Sequence, residues 1–287
     1  MSYYSQLGLD QEPFSTSPDP NFLCMCREHK AALYKARIAV SLRRGMSVII
    51  GDVGMGKTTI SRKLSQVFSD DDDVLFHMIL NPFFKSDKQF LQRLAQLFKV
   101  GKLRDDASEL DYIEAIERFL FKKGVEEDKT IVLLIDESQM IPDYVLEVLR
   151  VLLNYETNEH KLLQLILVGQ MEMLPTISKI PNFWDRIAMK CVINPITQEE
   201  AKEIIGFRLK SAGFDRSTPL FTDRAIKRIW SHTEGYPRKM SMLCHNCLEY
   251  LVMEDKTVVD ENMVEAVIKT ELKPIEFEYE GVPDVVI

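Results

Sequence analysis

The sequence predicts an α/β fold, in which helices sandwich a parallel sheet, followed by a small all-helical domain. Short apolar runs alternate with segments of helical spacing through residues 29–194 of the 287-residue chain. These runs are apolar throughout, which is typical of parallel strands that are buried on both faces. After Pro195 the strand signals stop and four helical segments follow. The alternation therefore predicts the sheet, and its end predicts a domain boundary near residues 194–196.

Each predicted element rests on the spacing of its apolar residues. The strands are short apolar runs that end at glycine, acidic or turn residues, and they span 47–50, 74–80, 130–135, 162–168 and 188–193. The helices between them have apolar residues three and four positions apart, and they span 28–43, 57–68, 88–98, 110–123 and 143–155. The later helices span 197–211, 223–233, 238–254 and 261–271.

Four segments are expected along the chain. Residues 1–28 contain prolines interleaved with aromatic residues, which favours an extended segment packed on the core. Residues 29–194 are expected to form the α/β domain and residues 195–272 the helical domain. Residues 273–287 are expected to form an acidic tail.

The composition favours a globular, cytoplasmic protein with no membrane span. With 46% hydrophobic and 28% charged residues, the chain can build a sizeable core. No apolar run approaches the roughly 18 residues that cross a bilayer, and the N-terminus lacks a signal-peptide pattern. Five cysteines, an odd number, favour reduced thiols. The net charge is −8, but eight acidic residues and two lysines lie from Asp260 onward, so the total argues only weakly against nucleic acid.

The segment GDVGMGKT, residues 51–58, matches the phosphate-binding pattern G-x-x-x-x-G-K-[ST] in full. It follows a predicted strand and opens a predicted helix, where backbone N–H groups can surround phosphates at the positive end of the helix. Lys57 is expected to reach the β- and γ-phosphates of ATP, and Thr58 to ligate Mg²⁺. The residues expected to bind nucleotide here are Gly51, Asp52, Val53, Gly54, Met55, Gly56, Lys57, Thr58 and Thr59.

Two adjacent acids, Asp136 and Glu137, directly follow the apolar run IVLLI. A parallel strand that ends in acids places them at the carboxyl edge of the sheet, where ligands bind in open α/β folds. Asp136 suits the magnesium shell, and Glu137 suits a base that polarises the attacking water. Because strands often end in acids, this pattern is not specific alone, and it becomes specific in combination with the phosphate loop upstream. Together the two segments predict ATP hydrolysis.

Cations that offset charge on the departing phosphate are harder to assign. Arg186 follows the fourth predicted strand and a short helical stretch, and Arg238 opens a helix of the second domain. By spacing alone, either residue fits an ordinary surface arginine equally well. The helical domain carries no other chemical constellation, which favours the interpretation that it is a lid.

Beyond these motifs, the chain resembles the ExeA/GspA-type ATPases of bacterial secretion from about residue 3 to 253. That family has a similar tyrosine, G-L, P-F and P-D pattern ahead of its glycine loop, and D-E-A-Q, G-Q, Q-R-I and G-I-P-R segments after it. The corresponding positions here are Tyr4, residues 7–9, 13–14, 17–20 and Phe22, then DESQ at 136–139, VGQ at 168–170, DRI at 185–187 and GYPR at 235–238.

The resemblance implies an AAA+ P-loop module with a helical lid. It gives Gln170 the sensor-1 place and Arg238 the sensor-2 place, and it makes Arg186 the first candidate for an arginine finger supplied in trans, with Lys190 as the alternative. Secretion members of the family continue into a transmembrane helix and a periplasmic peptidoglycan-binding domain. The same ATPase type also resembles the MuB and TnsC transposition regulators, which form filaments on DNA.

Three functions follow from these features. The first is an ATP-dependent homo-oligomer that remodels or recruits a protein partner of unknown identity. The second is an ATPase that assembles on double-stranded DNA and regulates transposition or a mobile element. The third is a switch that binds ATP and turns it over little. ATP-dependent, salt-sensitive DNA binding would distinguish the second function from the first.

Overall fold

The structure, a computed structural model, describes residues 2–15, 24–101, 103–180, 183–216 and 218–271. It divides into two compact units, one formed by Ser17–Ile196 and the other by Met1–Thr16 with Thr197–Ile287. The predicted acidic tail, residues 273–287, and the part of the opening motif at residues 17–20 and 22 lie outside the described residues.

Five parallel strands form the sheet of the Ser17–Ile196 unit. They are β1 (Met46–Gly51), β2 (Val74–Ile79), β3 (Thr130–Ile135), β4 (Leu163–Gly169) and β5 (Ile187–Ile193), in the spatial order β2-β3-β4-β1-β5. The central strands β1, β3 and β4 are buried along almost their whole length. Burial on both faces explains their continuous apolar runs. The predicted fold class, a parallel sheet between helices with a helical region after it, is confirmed.

Helices cover both faces of this sheet. In chain order after a short first helix, α1 (Tyr3–Gln6), they are α2 (Arg27–Ser41), α3 (Lys57–Ser69), α4 (Asp87–Phe98), α5 (Glu109–Phe121), α6 (Asp143–Leu152) and α7 (Met173–Ser178). Ser86 caps α4 by accepting a hydrogen bond from the backbone of Gln89, and Ser108 forms a capping box with Asp111 on α5. A π-helical turn extends α5 to Glu126. The helix α6 ends three residues before its predicted end because residues 153–155 form a turn.

The other unit is helical. It contains α8 (Gln198–Ser211), α9 (Asp223–Thr233), α10 (Pro237–Met253) and α11 (Glu261–Glu271). Thr197 and Thr222 cap α8 and α9 with their hydroxyl groups, and Pro237 occupies the first position of α10, where a missing N–H costs least.

The N-terminal residues up to residue 15 pack within this helical unit. The Asp10 backbone N–H donates to the carbonyl of Ala212 at 2.8 Å, and the rings of Phe14 and Phe221 meet edge to face at 5.9 Å. The segment contains the helix α1 where an extended conformation is predicted. Within the described part of the chain, none of the helices combines the length and the apolar character that a bilayer crossing requires.

Candidate functional site

The phosphate loop joins β1 to α3 at the carboxyl edge of the sheet. Gly54 has a φ of +83° and Gly56 a φ of +82°, a backbone conformation that glycine adopts without the strain it causes in other residues. Gly51 closes the strand beside β5, and a Cβ there would lie 2.9 Å from the carbonyl oxygen of Ile193. The motif glycines are therefore required by local geometry, and they fit a loop whose N–H groups turn inward.

Lys57 is buried at the start of α3, where 6% of the residue is exposed. Its ammonium donates a hydrogen bond to the Asp52 carbonyl oxygen at 2.8 Å, which holds the side chain over the loop. Burial lowers the pKa of Lys57, and the charges of Glu137, Asp136, Asp52 and Glu172 oppose that shift. A partly desolvated ammonium interacts more strongly with an anion such as phosphate than a fully hydrated ammonium does.

Asp136 follows β3 directly and is 1% exposed. Burial raises the pKa of its carboxyl group, the charge of Glu137 raises it further, and hydrogen bonds from the Glu137 backbone and from the side chains of Thr58 and Ser61 oppose the shift. The carboxylate of Asp136 and the hydroxyl of Thr58 therefore converge on one place. Mg²⁺ takes a hydroxyl and one or two carboxylates together with phosphate oxygens and water, so this pair of residues fits the ion.

The backbone of Glu137 is held in an uncommon conformation. Its φ is +51°, in the left-handed region, and its N–H donates to Asp136 Oδ1 at 2.9 Å. The next residue, Ser138, donates from its hydroxyl to the Ile135 carbonyl at 2.7 Å and anchors a short 3₁₀ turn over Ser138–Met140. A strained conformation of this kind persists only where the surrounding structure holds it. The arrangement keeps a carboxylate beside Asp136 and Lys57, as the polarisation of an attacking water requires.

Gln139 links Glu137 to the end of β4. Its amide nitrogen donates to Glu137 Oε2 at 2.6 Å, and its amide oxygen accepts from the backbone N–H of Gln170 at 3.0 Å. Gln170, predicted for the sensor-1 place, is therefore linked to Glu137 indirectly: its backbone N–H binds the side chain of Gln139, which in turn binds the Glu137 carboxylate. Residue spacing assigns no role to Gln139, and only its place in the DESQ segment drew attention to it.

His29 is a second residue that the sequence did not single out. It lies on α2, it is buried, and its Nε2 is 2.9 Å from the carbonyl oxygen of Met55 in the phosphate loop. Because a carbonyl only accepts, Nε2 carries the hydrogen. A Cβ on Gly56 would lie 3.3 Å from the same nitrogen. The imidazole therefore supports the loop from α2, in a contact that no local motif could reveal.

The predicted cations lie in two places. In the Ser17–Ile196 unit, Arg186 donates from Nη1 to the carbonyl oxygen of Arg150 at 3.0 Å, and the Lys190 ammonium lies 3.7 Å from the ring centroid of Trp184. Arg238, the second residue of α10, belongs to the helical unit and is exposed. It makes no hydrogen bond or ion pair to a described residue, and its sensor-2 role stays a prediction.

Comparisons with known proteins agree with this geometry. Residues 40–177 match a family model described as an AAA domain. General secretion pathway protein A of Aeromonas hydrophila is 31% identical over 248 residues, which are 86% of this chain and 44% of that protein. This chain therefore spans less than half of that relative's length.

Two solved structures share the fold. Cdc6p from Pyrobaculum aerophilum superposes with a TM-score of 0.69 at 16% identity, over 91% of this chain and 71% of that chain. A structure of Drosophila ORC bound to DNA superposes with a TM-score of 0.66 at 18% identity, over 95% of this chain and 67% of that one. The predicted resemblance is therefore confirmed: residues 40–177 match the AAA domain model, the chain is similar to General secretion pathway protein A over most of its own length, and it shares the fold of Cdc6p.

Proposed function

We propose that this chain binds ATP with Mg²⁺ and hydrolyses it, as a cytoplasmic AAA+ oligomer that remodels or recruits a protein partner. One observation carries the proposal: Lys57, Thr58, Asp136 and Glu137 meet at one edge of the sheet, around a loop that fits phosphate. The similarity to a secretion ATPase supports the partner-remodelling role.

Each of these residues has a separate role in the proposed reaction. The loop amides and Lys57 hold the β- and γ-phosphates and offset charge that develops on them. Thr58 and Asp136 hold Mg²⁺, which supplies electrostatic stabilisation of the phosphate oxygens. The Glu137 carboxylate orients the attacking water and accepts its proton. In the oligomer, Arg186 of one subunit contacts the γ-phosphate bound by its neighbour.

The test compares Glu137→Gln with Lys57→Ala in steady-state hydrolysis and in nucleotide binding. Glu137→Gln keeps the shape of the side chain but removes the base, so turnover should fall by about 10²–10⁴-fold while ATP still binds. Lys57→Ala should lose nucleotide affinity steeply while it stays folded, because an ammonium contributes little to the core. Wild-type turnover in the Glu137→Gln protein would contradict the assigned base.

Equally tight binding of nucleotide by Lys57→Ala would contradict the phosphate site itself. A wild-type protein that binds Mg-ATP tightly but hydrolyses it barely faster than Glu137→Gln would favour an ATP-dependent switch over a remodelling enzyme.

A DNA-associated ATPase that regulates transposition or a mobile element is the second candidate. Four exposed basic residues, Lys30, Lys35, Arg37 and Arg44, lie on and just after α2, and a fold neighbour was solved bound to DNA. Such a protein should bind duplex DNA only with ATP, and its affinity should fall linearly with the logarithm of salt concentration. If the protein does not bind duplex DNA, or binds it with an affinity that salt does not change, the result would favour the protein-partner role.

A further inference from the structure

The side chain of Gln139 bridges Glu137 and Gln170, the residue that follows β4, with hydrogen bonds of 2.6 Å and 3.0 Å at its two ends. We propose that Gln139 is a positioning residue for hydrolysis, which holds the Glu137 carboxylate by tethering it to the backbone of Gln170. This inference rests on the proposed function, because it concerns the residue that acts on the attacking water.

The two contacts have opposite hydrogen-bonding requirements, which the amide of Gln139 meets. The Glu137 carboxylate only accepts hydrogen bonds, whereas the Gln170 backbone N–H only donates them. A single side chain can satisfy both only if it carries a donor and an acceptor, as the amide nitrogen and the amide oxygen of Gln139 do. The two partners therefore also fix which atom of the amide is nitrogen and which is oxygen.

The bridge is held at both ends by ordered backbone. On one side, the left-handed φ of Glu137 and the hydrogen bond from Ser138 to Ile135 fix the turn that carries Gln139. On the other side, the Gln170 N–H directly follows the buried strand β4. One carboxylate oxygen, Oε2, is engaged by the amide, which leaves the other oxygen of Glu137 for water.

Gly169 gives independent support because it makes the space for the bridge. A Cβ at this position would lie 3.1 Å from Gln139 Oε1, 3.3 Å from the Gln139 backbone nitrogen and 3.2 Å from Met173 Sδ. No left-handed conformation of the backbone requires glycine here. The missing side chain leaves room for the close approach of Gln139, and an alanine at Gly169 would crowd the Gln139 amide oxygen while Glu137, Gln139 and Gln170 keep their own side chains.

The experiment measures single-turnover hydrolysis of Mg-ATP and equilibrium binding of a fluorescent ATP analogue, at one protein concentration. Gln139→Met removes both hydrogen bonds at similar volume. Gln139→Glu keeps the acceptor for Gln170 but sets a carboxylate against Glu137. Gly169→Ala crowds the bridge with a methyl group 3.1 Å from Gln139 Oε1. Gln96→Met is the matched control, because Gln96 is exposed on α4 and its side chain has no hydrogen bond to a described residue.

Each of the three bridge variants should hydrolyse ATP about 10- to 100-fold more slowly, a part of the roughly 10²–10⁴-fold that a positioned base contributes. Nucleotide affinity should stay within about twofold of wild type, because Lys57 and Thr58 are unchanged, and the control should match wild type in both measurements. Gln139→Glu should be at least as slow as Gln139→Met, since its defect lies at the Glu137 end.

The outcomes separate this inference from the proposed function. If Glu137→Gln is inactive and the folded bridge variants hydrolyse ATP at the wild-type rate, the inference is wrong and the function stands. The same holds if nucleotide affinity falls as much as the rate, because the bridge would then support the whole site. A folded wild-type protein without ATP hydrolysis would contradict both.

Discussion

The phosphate-loop edge of the sheet and the segment around β5 both carry cations that are predicted to act on ATP, but their surroundings differ. Lys57 is buried among carboxylates of its own subunit. Arg186 instead donates to the backbone carbonyl of Arg150, in the last turn of α6, and Lys190 lies on the face of the Trp184 ring. No described carboxylate forms an ion pair with Arg186 or Lys190.

This difference indicates which parts of the reaction one subunit can carry alone. The groups that hold phosphate and metal find their partners in the loops after β1 and β3, so the fold of a single chain assembles them. Among the described residues, neither the guanidinium of Arg186 nor the ammonium of Lys190 forms an ion pair, although Glu156 lies near enough to Arg186 for a weaker electrostatic interaction. A cation that forms no ion pair in its own subunit stays available to an anion on a neighbour, which is the situation that a shared site requires.

The largest expected effect tests this distinction directly. Arg186→Ala should bind ATP nearly as wild type does but hydrolyse it more slowly, by about 10³-fold or more, because an arginine supplied in trans stabilises charge only in the transition state. The measurement mixes Arg186→Ala with Lys57→Ala. Each variant is nearly inactive alone, yet at their interface an intact Arg186 meets an intact phosphate loop, so activity should partly return.

The control for this mixture is light scattering, which establishes that the two variants assemble together. Absence of recovery in a mixed assembly would count against Arg186 and move the role to Lys190. In that case Lys190→Ala, which also removes the contact with Trp184, should show the loss of turnover and the recovery on mixing in its place.

A smaller effect is expected inside the phosphate loop, where the geometry is complete in one chain. Gly56→Ala forces an alanine to a φ of +82° and brings its Cβ to 3.3 Å from His29. The left-handed conformation costs an alanine about 1–2 kcal/mol, so the loop without nucleotide should relax away from it. Binding of ATP must then restore the conformation, and the affinity should fall about tenfold. Gly206→Ala on α8, where the added methyl group meets nothing within 4 Å, is the matched control and should bind ATP normally. Equal affinities in calorimetry would mean that the loop conformation does not limit binding.

Much of the fold could be predicted from the sequence because its determinants are local. The continuous apolar runs of β1, β3 and β4 follow from burial on both faces, and the helix starts at Ser86, Ser108 and Thr197 carry their own caps. The places of the glycine-rich loop and of the acids at 136–137 were predictable for the same reason, since each segment is marked by adjacent residues at the end of a strand.

The remaining contacts depend on packing between distant segments. His29 meets Met55 across 26 positions, and Gln139 meets Gln170 across 31. Neither pair has a spacing that repeats or a composition that stands out, because the contact is created by α2 lying on the loop and by β4 lying beside β3. The hydrogen bond from Arg186 to Arg150 is of the same kind. The sequence indicates the cation but not its local partner.

The last and smallest expected effect concerns thermal stability, and its sign is expected to differ between the two regions. Burial raises the pKa of Asp136 above its ordinary value of 3.8, so the folded protein binds this proton more tightly than the unfolded chain does. The stabilising contribution is therefore present below pH 3.8 and is lost as the pH rises through the pKa of the folded protein. At neutral pH the buried carboxylate opposes folding, and Asp136→Asn should raise the Tm measured without nucleotide or Mg²⁺, while it abolishes hydrolysis.

Arg186→Ala should instead lower the Tm, because the carbonyl of Arg150 loses a hydrogen bond worth about 0.5–1.5 kcal/mol. Thermal unfolding at pH 7.5 measures the sign of each variant's change in Tm. In a second series toward pH 4, the gain in Tm from Asp136→Asn should become smaller. A lower Tm for Asp136→Asn at neutral pH would mean that the hydrogen bonds from Thr58, Ser61 and the Glu137 backbone outweigh the cost of burying the charge.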